Sequence, residues 1–215
     1  MKTLLRIGTL LACLGMGGPA HAEEAPPPAW HDQRVLTADF AFSALATVED
    51  EEWFTIRGIR VVSRKTGQVV QELPIEGAEA IRRDADELVR IVDANFDGRP
   101  DIVITYMEAG AGPNYVDGFY LFDARQGRFV PDTDLSQLTQ PAIHADGTIT
   151  SSSRGGCCQF DMATYRYVNG KLVLVEASEE AMTADGKWIE TRTRKLVKGK
   201  WQRRFKRVPN RPGAQ

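Results

Sequence analysis

From about residue 35 onward the apolar residues fall into short β-branched and aromatic runs that end on turn residues, and only one stretch looks helical. Residues 61–70 turn at Lys65-Thr66-Gly67, 119–130 at Arg125-Gln126-Gly127, 165–175 at Asn169-Gly170 and 189–205 at Lys198-Gly199. Two strand-like runs joined by such a turn read as a hairpin. Four of them predict an all-β protein, a compact antiparallel meander. The exception is 76–88, EGAEAIRRDADEL, rich in alanine and charged helix formers and without a β-branched run, which predicts one short helix. No segment repeats at a fixed period, which argues against a multi-bladed propeller.

The 215 residues, 42% hydrophobic and 26% charged, are within the range of one globular domain. The start departs from that average. Lys2 and Arg6 are followed by an apolar or small run over 7–18 and by Ala20-His21-Ala22, the pattern of a secretory signal peptide over 1–22. A transmembrane helix needs about 20 apolar residues, and this run is too short and too rich in glycine. Leu10-Leu11-Ala12-Cys13 also resembles a bacterial lipobox, so a lipid anchor at Cys13 is a second processing route. Both lead to the periplasm, where thiols oxidise and calcium is plentiful. The prolines after Glu23 make 23–34 an extended tether, with 35–208 as the β domain and 209–215 as a flexible tail.

Removing 1–22 takes away Lys2 and Arg6 and no acid, carrying the formal charge from −2 to −4. A mildly acidic chain is a poor general partner for nucleic acid. The end of the chain is different: after Glu190 there is no acid, while Arg192, Arg194, Lys195, Lys198, Lys200, Arg203, Arg204, Lys206, Arg207 and Arg211 are basic. Such a stretch either meets an anionic polymer or is an edge hairpin whose charge blocks edge-to-edge pairing.

The most specific chemistry is in Asp93-Ala94-Asn95-Phe96-Asp97-Gly98-Arg99-Pro100-Asp101. Oxygen-bearing side chains fall at positions one, three, five and nine, with glycine at six, the ligand spacing of an EF-hand-type loop. Asp93, Asn95, Asp97 and Asp101 would offer side-chain oxygens to Ca2+, and Arg99 its backbone carbonyl. Position twelve is Ile104 and not Glu, Pro100 lacks the N–H that pairs two EF loops, and the following DIVITYM favours a strand. The loop is therefore expected to stand alone between strands at 88–92 and 102–107. Another acid or waters would complete the shell, with an affinity on the order of 10⁻⁴ to 10⁻⁵ M. A metal-free Asp-Gly turn is the alternative.

Signs of catalysis are few. Beyond residue 22 the histidines are His31 and His144, and there is no Gly-x-Ser-x-Gly, phosphate loop or CxxC, so no enzyme is expected. The paired carboxylates of a carbohydrate-active enzyme stay open, because their separation is a matter of fold. Cys157-Cys158 leaves three readings. A bridge between neighbours would be strained, since adjacent α-carbons sit about 3.8 Å apart and disulfides span about 4.4 to 6.8 Å. Two small thiols, one facing the core, is the plainer reading, and a Cys157 nucleophile assisted by His144 is the third. Ahead of them a strand-like start dissolves into Ser151, Ser152, Ser153, Arg154, Gly155 and Gly156. These are candidate partner-binding residues, because small side chains leave the backbone unencumbered and the arginine supplies a charged fork. A plain connector is the alternative.

Four features come in order: the acidic loop, the run Asn114-Tyr115 through Gly118-Phe119-Tyr120-Leu121-Phe122-Asp123, the Ser/Arg/Gly segment, and the hairpin Tyr165-Arg166-Tyr167-Val168-Asn169-Gly170-Lys171-Leu172. This arrangement resembles the periplasmic immunity proteins that neutralise peptidoglycan hydrolases injected by bacteria-killing type IV secretion systems. That family has a single calcium site in a compact β-fold and is similar to the invertebrate-type lysozyme inhibitors. The resemblance covers 88–175 and is most specific in the metal loop, which integrin-type FG-GAP repeats share. It implies a calcium-stabilised inhibitor whose protein partner is a lysozyme-like peptidoglycan hydrolase, met by residues 151–156. Cys157-Cys158 and the basic hairpin have no counterpart in it. The other reading is an exported β domain that binds cell-wall or surface polymer through the basic face.

Overall fold

A computed structural model describes residues 26–50, 52–109, 114–156 and 158–211. The expected signal peptide, Cys13 and Cys157 lie outside them. Three antiparallel sheets follow one another along the chain, each with its main strands in sequence order. The first contains β1 (Ala29–Leu36), β2 (Phe40–Asp50), β3 (Trp53–Ser63) and β4 (Val69–Pro74), with the short β5 (Ile81–Arg82) also paired to β3. The second contains β6 (Arg90–Val92), β7 (Asp101–Ala109), β8 (Asn114–Asp123) and β9 (Arg128–Asp132). One turn of helix, α1 (Thr133–Ser136), leads to the third: β10 (Ala142–Ile143), β11 (Ile149–Arg154), β12 (Gln159–Val168), β13 (Lys171–Met182), β14 (Trp188–Val197) and β15 (Lys200–Pro209). The fold is the all-β meander expected, and no helix among the described residues is long and apolar enough to cross a membrane.

All four hairpin turns form where the turn residues stand. Asn169 and Gly170, at φ 51° and 74°, and Lys198 and Gly199, at 50° and 75°, have the paired positive φ of type I′ turns, whose twist matches the flanking strands. Two expectations need correction. Residues 76–88 do not form a helix: Gly77 sits at φ 74°, and the N–H groups of Glu79 and Arg83 donate to Tyr106 and Glu52 carbonyls instead of to their own preceding turn. Buried Ala78, Ile81 and Leu88 draw the segment along the sheet, and packing overrides helix propensity. The strand β1 begins at Ala29, inside the stretch assigned to the tether, because Ala29 to Asp32 pair in register with Ala46 to Ser43.

The second sheet is covered on both sides. Ile102, Ile104 and Tyr120 face the first sheet and pack with Phe42, Ile59 and Phe129. The alternate residues Val103 and Phe119 pack on the other side with Leu135, Leu138 and Ile149, backed by Tyr165, Tyr167 and Leu172 of the third sheet. Two glutamines bracket the layers. The Gln71 side chain exchanges hydrogen bonds with the Phe129 backbone at 2.8 and 2.9 Å. Gln33 donates to the carbonyls of His31 and Ala85 and accepts from Val89 N–H.

Gly118 is required by close packing. A Cβ there would stand 2.6 Å from Tyr106 Cζ, and the Tyr106 hydroxyl is held 2.7 Å from that of Tyr120. Gly118→Ala is expected to push the ring out, break this bond and cost about 1–3 kcal/mol in urea unfolding. In a Tyr106→Ala background the same substitution should cost much less, and equal costs in the two backgrounds would refute the steric account.

Candidate functional site

The acidic loop connects β6 to β7 and is held by its own side chains. Asp93 accepts from Asp97 N–H at 3.0 Å through one oxygen and from Gly98 N–H at 2.9 Å through the other. Asn95 Oδ1 accepts from Asp97 N–H at 3.0 Å, and Asp97 Oδ1 from Arg99 N–H at 2.9 Å. Arg99 lies on the exposed rim. Phe96, at φ 61°, takes the left-handed backbone so that its ring packs toward the core while its neighbours turn to the loop. Sequence spacing did not reveal that residue.

Asp101 closes the loop from below and is fully buried. Its two oxygens accept from Ala94 N–H and Phe122 N–H, both at 2.8 Å, which ties the start of the loop to β8. Burial pushes its carboxyl up to about 6; the N–H groups of Phe122 and Ala94 oppose the shift, and the charges of Asp97 and Asp93 add to it. Among the described residues Asp93, Asp97 and Asp101 form no ion pair with a basic side chain. The loop therefore concentrates negative charge around oxygens with lone pairs to spare. Its carboxylates are spread out: the acids whose oxygens come within 4.8 Å of one another are Asp84, Asp86 and Glu87. That exposed group already has a cation, since Arg34 pairs with Asp86 at 2.9 Å and Glu87 at 2.5 Å.

The six candidate partner-binding residues are split by the fold. Ser151, Ser152 and Ser153 belong to β11, half-buried and in register with Ala163, Met162 and Asp161, and are not loop residues. Ser151 Oγ donates to the Thr139 carbonyl at 2.8 Å, and Ser152 N–H donates to the same oxygen at 3.1 Å. Strand pairing and these bonds capture residues that by composition suit a loop. Arg154 ends β11, paired with Phe160, and the turn that follows starts with Gly155 and Gly156; all three are exposed, and Gly155 N–H donates to the Gln159 carbonyl at 3.1 Å. Cys158, just beyond, is disulfide-bonded, which corrects the reading of two free thiols. An open cleft of about 590 Å³ beside the turn is lined by Arg154, Gly156, Cys158, Phe160, Glu180 and Met182, among others.

His144 does not sit beside Cys158. Its Nε2 is 2.8 Å from Thr150 Oγ1 near the start of β11, and about 13 Å of strand separates Thr150 from Arg154, beyond which Cys158 lies. The reading of a Cys157 thiolate assisted by His144 falls on a residue outside the described ones.

No family model and no curated protein matches the chain. Among solved structures the fold is similar to that of a Xanthomonas type IV secretion system related protein, with a TM-score of 0.59 and 21% sequence identity, over 78% of this chain and 90% of that one. At that identity the likeness carries the fold alone.

Asp101→Asn tests the loop's foundation. Each carboxylate oxygen accepts a backbone N–H, so an amide must turn its NH2 toward one of them. The expected loss is about 1–3 kcal/mol in denaturant unfolding, and a fully stable variant would contradict the two-acceptor geometry.

Proposed function

We propose that this chain is an exported, calcium-stabilised periplasmic binding protein that inhibits a lysozyme-like peptidoglycan hydrolase and carries no catalytic site of its own. The observation that carries the inhibitor reading is the Arg154–Gly155–Gly156 turn. It is exposed at the end of a strand, tied back by the bond from Gly155 to Gln159, and followed by the disulfide-bonded Cys158. A turn ordered before binding gives up less entropy when it enters a cleft. The arginine brings a planar fork matched to the carboxylates on which glycoside hydrolysis depends. The fold shared with a type IV secretion system related protein supports the same reading. The signal-peptide pattern of 1–22 supports the periplasmic destination.

The donor set of the loop fits a hard cation. Asp93, Asn95, Asp97 and Asp101 offer only oxygen, and burial and neighbouring charges raise the Asp101 carboxyl in the absence of a positive partner. Bound calcium would supply that positive charge, and the chain's part is to hold the oxygens around it. The role is structural, because the loop joins β6 to β7 and through Asp101 reaches β8.

Calcium is expected to raise the melting temperature of the protein from residue 23 onward relative to EDTA, and Asp97→Ala to abolish the increase. An EDTA melting curve that superimposes on the calcium curve would remove calcium from the proposal. In lysis assays the protein should suppress a lysozyme-like hydrolase at near-stoichiometric ratio. Arg154→Ala should weaken that inhibition about tenfold or more with the melting temperature nearly unchanged, and undiminished inhibition would move the contact elsewhere.

A further inference from the structure

The third sheet is anchored to the core by its first strands, and β14 and β15 form its outer edge. In their register Glu179, Arg192 and Phe205 lie side by side, and so do Ala177, Arg194 and Arg203. Residues two apart on a strand share a face, so both rows, with Trp201 next along β15, line the same surface. The guanidinium groups of Arg192 and Arg194 stand 5.9 and 5.4 Å from the ring centres of Phe205 and Trp201. Both rings remain in solvent, 59% and 42% exposed. A groove of about 390 Å³ opens beside Phe205, floored by Ala177 and flanked by Glu179, Arg192, Arg194 and Arg203.

The charges of this face are only partly answered within the protein. Arg192 and Arg207 share Glu190, at 2.9 and 3.6 Å, whereas Arg194 and Arg203 form no ion pair among the described residues. Residues 191–211 contain no acid, although the chain as a whole is acidic. Strand alternation divides the basic residues of β14 and β15 between two faces, with Arg192, Arg194, Arg203 and Arg207 on this one and Lys195, Arg204 and Lys206 on the other. The four arginines gathered here are complementary to an anionic ligand. The aromatic rings add a requirement, because they offer flat apolar surface beside each guanidinium. The acids narrow the ligand further. Glu179 and, two strands in from β14 on the same face, Asp161 would repel a dense row of phosphates but accept hydrogen bonds from hydroxyl groups. A bilayer suits the hairpin poorly, since its tip, Lys198-Gly199-Lys200, is charged and offers no apolar wedge.

We propose that this face binds an acidic polysaccharide. Trp201 and Phe205 stack on sugar rings, Arg194 and Arg203 pair with carboxylates, and Glu179 accepts from hydroxyls. From β12 to β15 the surface spans about 14 Å, three inter-strand spacings, which suits several sugar units in a row. The site is separate from the Arg154 turn, and the inference does not rest on the hydrolase reading.

The test is titration of the protein from residue 23 onward with polygalacturonate, dextran, a single-stranded oligodeoxynucleotide and phosphatidylglycerol vesicles at physiological salt. Binding to polygalacturonate and not to dextran is expected. Trp201→Ala, and separately Arg194→Gln with Arg203→Gln, should weaken it about tenfold without moving the melting temperature, as these side chains are exposed. Arg154→Ala should bind the glycan as the parent does. Failure to bind polygalacturonate overturns the proposal. So does oligonucleotide or vesicle binding as tight as glycan binding, which would mark a general polyanion or membrane surface. Trp201→Ala binding at full affinity overturns the stacking role. Hydrolase inhibition measured on the same variants should persist, and its loss together with glycan binding would assign the face to the protein partner. A parent protein that inhibits no hydrolase but binds glycan would sink the earlier reading and leave this one standing.

Discussion

The second sheet is buried on both faces, and the remainder of the molecule is arranged around that constraint. Along β7 the side chains of Ile102 and Ile104 go one way and that of Val103 the other, and all three are excluded from solvent. Each such side chain contributes about 1.5–3 kcal/mol relative to exposure, but only if another layer covers it. The first sheet supplies one cover; α1 and the near strands of the third supply the other. A strand with no solvent-facing side has nowhere to leave a polar group unpaired. Asp117, also buried, accepts from Thr105 Oγ1 at 2.9 Å and pairs with Arg90 at 2.6 Å. Asp101, at the start of β7, has both oxygens occupied by N–H groups. The acidic loop thus inherits its shape from the layer it opens: one of its carboxylates is also a structural part of the core.

The third sheet obeys the opposite rule. Its inner end, with Ile149, Tyr165 and Tyr167, belongs to the core, and its outer strands leave it. Beyond β13 there is no layer to bury, so both faces carry polar and charged side chains, as in the cross-strand pair of Lys195 with Glu176 at 2.8 Å. Charge on the free edge strand β15 discourages pairing with another chain. A platform anchored at one end and solvated at the other can present recognition groups without straining the fold. The two proposed contact regions, the Arg154 turn and the Arg/aromatic face, both lie on it, away from the proposed metal loop.

Much of this architecture was legible because it is local. A type I′ turn depends on two residues, as at Asn169-Gly170, and an oxygen-rich loop on nine consecutive ones, so spacing reported both. The basic run after Glu190 was equally plain as composition. Even the pairing of Arg192 with Phe205 and of Arg194 with Arg203 follows from counting outward from the two-residue turn at Lys198-Gly199.

Contacts between segments distant in sequence were decided by the tertiary structure alone. Residues 76–88 suit a helix by propensity, a preference of at most about 1 kcal/mol per residue outside proline, and burial of Ile81 and Leu88 along the sheet outweighed it. Ser151 to Ser153 have loop composition, yet β12 pairs with their backbone and the Thr139 carbonyl takes up the Ser151 hydroxyl. Neither the bond from Phe122 N–H to Asp101 nor the place of Glu179 beside Arg192 has a sequence signal. The first depends on the register of β7 with β8, which a bulge between Thr105 and Met107 shifts, and the second on a five-residue connection between β13 and β14 whose length alone does not fix a register. Local chemistry determined which residues turn and which extend; long-range burial determined which of them meet.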